Sequence, residues 1–155
     1  MATTKTATTK TNDADTDEFT AEERAAMKQR SAELRKKRRG KTTPEEDAAE
    51  VLEAIAAMEE PDRGIAESIH AIITATAPEL APKTWYGFPA YFAAGKCVAF
   101  YQPATKFKYR YGTLGFQENA QLDDGQMWAT SFAILEITPD VEKRIAELVR
   151  RAAGS

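Results

Sequence analysis

Thirteen of the fourteen aromatic residues of this 155-residue chain lie between Trp85 and Phe132. Large rings dominate core energetics, so the core-building residues sit in the C-terminal two-thirds. The N-terminal part has to contribute either helices that pack against that region or segments that do not pack at all. Apolar residues make up 43 % of the chain, enough for one real core, and the length fits one domain better than two.

The first eighteen residues hold no large apolar residue apart from Met1 and are rich in Thr. They cannot offset an ordering cost of roughly 1–2 kcal/mol per residue. Residues 1–19 are therefore expected to form a disordered polar tail. They lack the apolar stretch of a secretory signal, and no apolar run reaches the roughly 20 residues that span a bilayer. Cys97 is the only cysteine, which excludes an internal disulfide and suits a reducing compartment. A cytoplasmic protein with no membrane partner is the expectation. Net charge is −3 but uneven: residues 1–42 carry 11 Lys/Arg against 7 Asp/Glu, and the remainder 10 against 17. The picture is a basic arm on an acidic domain.

Thr20 and Glu23 form a capping box that opens a helix running to Arg39. Its large apolar positions are only Met27 and Leu34, so this arm (residues 20–42) is expected to pack loosely or project into solvent. Thr43-Pro44-Glu45-Glu46 is a stronger helix start, followed by Val51, Leu52, Ile55 and Met58 at helical spacing. After Pro61 a further helix carries Ile65, Ile69, Ile72 and Ile73. Beyond Pro82 the period changes. Phe88-Pro89 is an extended or turn dipeptide. Residues 96–102 read as a strand entered through a turn at Gly95. Residues 106–111 alternate, with Phe107, Tyr109 and Tyr111 on one face and Lys106, Lys108 and Arg110 on the other, which predicts a half-buried strand. Leu114 to Phe116 would extend it, Asp124-Gly125 would turn the chain, and residues 128–137 supply a last strand. Thr138-Pro139 then starts a helix whose Val141, Ile145, Leu148, Val149 and Ala152 should dock on the sheet. Helices, then antiparallel strands, then a helix argue α+β: a small antiparallel sheet packed against helices, with an extra N-terminal helical arm.

No catalytic constellation emerges. His70, the single histidine, stands beside an isoleucine stripe and reads as a boundary residue. Cys97 reads as a small buried hydrophobe. One Cys and one His fall short of a zinc set, and Asp123-Asp124-Gly125 reads as a turn rather than a cation site. Lys106, Lys108 and Arg110 read as a solvated face. Arg35, Lys36, Lys37, Arg38 and Arg39 would attract polyanions weakly and without sequence preference. The aromatic group is the most informative feature, because Tyr and Trp tips need polar partners when buried. So many of them suggest a cleft or interface.

The segments Trp85-Tyr86-Gly87-Phe88-Pro89-Ala90-Tyr91, Gly95-Lys96-Cys97-Val98-Ala99-Phe100-Tyr101-Gln102, Lys106-Phe107 through Arg110-Tyr111, Leu114-Gly115-Phe116 and Leu122-Asp123-Asp124-Gly125 with Met127-Trp128 resemble the YdhG-like family, a domain family of unknown function. The resemblance runs from about residue 62 to 152. It implies a small antiparallel sheet with helices on one side, placed in residues 43–155. Some relatives carry the label of frataxin-like iron chaperone, and the family has no agreed catalytic residues.

The reading that follows is a non-enzymatic binding domain without cofactor or resident metal. Its cleft would be lined by Trp85, Tyr86, Phe88, Tyr91, Tyr101, Tyr109 and Trp128 and would take a small molecule or a protein partner. An iron-handling role through surface carboxylates, and a nucleic-acid role through the basic arm, stand as alternatives.

Overall fold

The structure, a computed structural model, describes residues 20–39 and 42–154, apart from the side chains of residues 35–39. The expected tail and the side chains of the Arg35–Arg39 run thus lie outside the described residues. Among the described residues, five helices and five strands follow in the order α1 (Ala21–Arg39), α2 (Pro44–Ala56), α3 (Asp62–Thr76), β1 (Ala81–Trp85), β2 (Phe88–Ala93), β3 (Lys96–Gln102), α4 (Ala104–Phe107), β4 (Gly112–Phe116), β5 (Ser131–Ile134) and α5 (Pro139–Ala152). The fold is α+β, with the strands forming one antiparallel meander in chain order. No described helix is long and apolar enough to cross a membrane.

Cap chemistry behaves as local sequence predicts. The hydroxyls of Thr43 and Thr138 accept from the backbone N–H groups of Glu46 and Val141, each ahead of a proline, and Thr20 accepts from Glu23 N–H.

The sheet separates its side chains by register. Tyr91, Ala99 and Phe116 lie opposite one another on one face, as do Tyr101 and Leu114. A bulge between Tyr91 and Phe92 brings Val98 to that face as well. Val51 and Ile55 of α2, Ile65, Ile69 and Ile73 of α3, and Ile145 and Val149 of α5 cover it and complete the main core. Each such aliphatic side chain contributes about 1.5–3 kcal/mol on burial. The other face carries Trp85, Phe88, Ala90, Phe100 and Gly115.

Two tyrosines in the main core are completely buried, Tyr91 and Tyr101. Their hydroxyls are satisfied from α3. The Tyr91 hydroxyl lies 2.9 Å from His70 Nδ1, and the Tyr101 hydroxyl donates to Asp62 Oδ1 at 3.4 Å. Burial raises both phenols above their ordinary range, and the Asp62 carboxylate reinforces the effect at Tyr101. Asp62, only 2 % exposed, also accepts from the N–H groups of Ala104 at 3.1 Å and Thr105 at 2.8 Å. It caps α4 from 42 residues away.

That cap explains the main departure from the sequence reading. Residues 106–111 are not a strand. Pro103 and the Asp62 carboxylate start a single helical turn, Lys108 closes it in the left-handed conformation (φ 57°), and the strand begins only at Gly112. Phe107 is buried while Tyr109 and Tyr111 are exposed, so the alternation does not mark two faces. The last strand is also shorter than 128–137. The Asp124-Gly125 turn, with Gly125 at φ 70°, sits inside the long connection of residues 117–130 rather than in a tight hairpin.

Asp62→Ala would leave the first α4 amides and the Tyr101 hydroxyl without their acceptor. We expect a loss of about 2 kcal/mol in urea unfolding, with Tyr101→Phe costing less because the amide bonds remain. His70 has its pKa lowered from 6.5 by burial. The unfolded chain therefore takes up this proton at a higher pH than the folded one, and stability falls as pH drops below 6.5. Unfolding curves measured across that window should lose this component in His70→Gln.

Candidate binding site

The β1–β2 hairpin builds the centre of the second face. Tyr86 and Gly87 both have positive φ (53° and 79°), the signature of a two-residue turn whose twist matches the flanking strands. Gly87 also lies close beneath two side-chain tips. A Cβ there would run into Gln29 Oε1 and the Lys106 ammonium, which bond to each other at 2.8 Å directly over the turn. Tyr86, a non-glycine residue in the left-handed region, is held by its neighbours: its ring centroid lies 4.8 Å from that of Trp85 and beneath the Arg30 guanidinium at 5.8 Å.

Around this turn a small cluster forms, separate from the main core. Phe88 and Phe107 are its buried members, with Ala26 of α1, and Trp85, Tyr86 and Phe100 pack against it half-buried. Several rings meet tilted or edge to face, Trp85 with Phe100 at 5.4 Å and Phe88 with Phe107 at 6.1 Å, and Tyr86 stacks with Phe88 at 6.2 Å, arrangements their quadrupoles favour. Gly115 leaves space for the Phe100 ring, which a Cβ would overlap.

Helix α1 lies on this cluster instead of projecting into solvent. Its attachment is mostly polar, which is why a search for large apolar residues underestimates it. Glu22 pairs with Lys108 at 3.1 Å, Glu23 accepts from the Tyr109 hydroxyl at 3.3 Å, Gln29 accepts from Lys106, and Ala26 is the one buried side chain among the described residues of α1. Lys106 is thus half-buried rather than solvated. Burial lowers its pKa, and Glu33 partly opposes that shift.

Beside α1 a shallow depression of about 340 Å³ remains open, with Trp85, Tyr86, Phe100 and Tyr109 on its floor and walls and Glu23 and Gln102 among its polar groups. A second cleft of about 490 Å³ lies where Gln29, Met58, Glu59, Gly87 and Lys106 converge. The first is an aromatic platform with a carboxylate on its rim. The second mixes apolar groups with charges of both signs.

Of the residues expected to line one cleft, Trp85, Tyr86, Phe88 and Tyr109 do come together here. Tyr91 and Tyr101 do not. Strand alternation sends them to the opposite face, where α3 satisfies their hydroxyls. Trp128 lies elsewhere again, beside α5 with Phe132 and Arg144. Phe100 and Phe107 belong to the site instead, together with Ala26 and Glu23 of α1. The even-numbered positions 88 and 100, read against 91 and 101, carried the signal that separates the two ring sets. The contribution of α1 had no local signal.

Cys97 is half-buried, and its thiol is pushed up to about 11, chiefly by burial, which leaves it a protonated, poor nucleophile at neutral pH. Among the described residues no group of three or more His, Cys, Asp or Glu side chains could hold a metal ion. In comparisons with family models, curated proteins and solved structures, no match to this chain was found.

Gly115→Ala should force the Phe100 ring aside at a cost of about 1–3 kcal/mol. Because Phe100 touches Trp85, the fluorescence of that indole in a Trp128→Phe background should change with it, whereas a change in stability alone would leave the native emission unaltered.

Proposed function

We propose that this chain is a small, non-enzymatic cytoplasmic binding domain whose ligand seat is the aromatic platform beside α1. The observation that carries this reading is the partly open set Trp85, Tyr86, Phe100 and Tyr109 around a depression of about 340 Å³, at the lower end of the size of small-molecule sites. Flat rings with a few polar groups at the edge suit a planar, largely apolar small molecule, which would stack on Trp85 or Tyr109 and direct a donor at Glu23. The resemblance of the hairpin segments to YdhG-like proteins, which have no agreed catalytic residues, is in keeping with a binding role.

Quinoline, a planar heterocycle, is a suitable probe in a titration of the full chain followed by amide and indole NMR signals. The expected shifts cluster on the Trp85 indole N–H and on Tyr86 and Tyr109, with Trp128 unmoved as the internal reference. Tyr109→Ala should weaken binding about fivefold. Shifts centred on Trp128, or none at all, would overturn the assignment.

A further inference from the structure

The main core is not sealed on every side. Between β5 and α5 a groove of about 360 Å³ leads into it, within the size range of small-molecule sites. Leu114, Ile134 and Ile145, all buried members of the core, line its deep part. Phe132, Val141 and Leu148 line it as well, half-buried and packed against that core. Tyr111 and Leu135, two large apolar residues that the fold leaves exposed, also border it. Exposed apolar side chains gathered around an opening into the core suit an apolar ligand rather than water. No residue of the platform beside α1 lines this groove.

The charged residues of the groove say what the polar end of that ligand is. They are Arg110, Arg144 and Glu136. Each guanidinium is seated on a ring, Arg144 at 5.7 Å from the centroid of Phe132 and Arg110 at 5.3 Å from that of Tyr111. A guanidinium over a ring keeps its N–H edge for a planar anion, which it can grip with two parallel bonds. Neither arginine forms an ion pair with a carboxylate of the described residues. Two cations against one carboxylate leave a single positive charge among the lining residues, which a monoanion balances. We propose that this groove binds a long-chain carboxylate, with the alkyl tail against Leu114, Ile134 and Leu148 and the carboxylate at Arg110 and Arg144. The tail extends the main core outward, and the head meets guanidiniums that no described carboxylate engages.

Sodium decanoate, kept below its micelle concentration, is the probe. Titrated into the full chain and followed by amide and methyl NMR signals, it should give saturable shifts centred on Leu114, Phe132, Ile134 and Leu148, with the Trp85 indole unmoved. Acetate, which has the head without the tail, should leave those signals in place. Decanol, which has the tail without the charge, should bind more weakly than decanoate. Arg110 and Arg144 are exposed, so Arg110→Gln and Arg144→Gln leave the fold intact. Each should weaken decanoate about fivefold and leave decanol binding unchanged. No saturable shift, shifts centred on Trp85 and Tyr86, decanol binding as tightly as decanoate, or Gln variants that bind decanoate like wild type would each overturn the assignment.

Discussion

A carboxylate with almost no contact with water must be satisfied by protein donors, and Asp62 is satisfied by three from one distant segment, residues 101–105. Its bond to Tyr101 ties α3 to the middle strand of the sheet. Its bonds to Ala104 and Thr105 begin α4 where an extended chain would otherwise continue. The position of α4 then places Lys106 and Phe107, and these hold α1 through Gln29 and the ring cluster. One buried charge therefore connects the helical layer, the sheet and the opposite face.

The sheet treats its rings in two ways. Tyr91 and Tyr101 reach the helical layer, where His70 and Asp62, eight residues apart on α3, meet their hydroxyls. Both phenols are pushed up and remain neutral, so these polar tips serve docking and are not available to a ligand. Phe88 and Phe100 reach the other face, where α1 covers them incompletely and through largely polar contacts. The two phenylalanines, with no hydrogen-bonding capacity, lie under α1, and the two buried tyrosines lie where fixed partners exist. This division leaves Trp85 and Tyr109 at the surface as a platform.

Much of the architecture was legible beforehand. Thr43-Pro44 and Thr138-Pro139 began helices as their cap chemistry requires, and the isoleucines of α3 and the stripe of α5 faced the core as their spacing demands. The strand at 96–102 appeared as read. The candidate site was half legible: Trp85, Tyr86, Phe88 and Tyr109 converge, whereas Tyr91, Tyr101 and Trp128 do not. Clustering in sequence marks which rings build a core, but it cannot say which face or edge each one reaches.

By itself, the sequence determined helix starts, helix faces and the α+β order, because these depend on groups within a few residues of one another: a cap and the amide three residues on, or side chains one turn apart. Tertiary structure alone decided that residues 104–107 are helical and that α1 lies on the sheet. Each of these depends on partners 40 to 90 residues away, as with Asp62 and Thr105 or Glu23 and Tyr109. A buried carboxylate or a bare strand face takes its partner from whatever the folded chain brings within reach, and no local window contains that information.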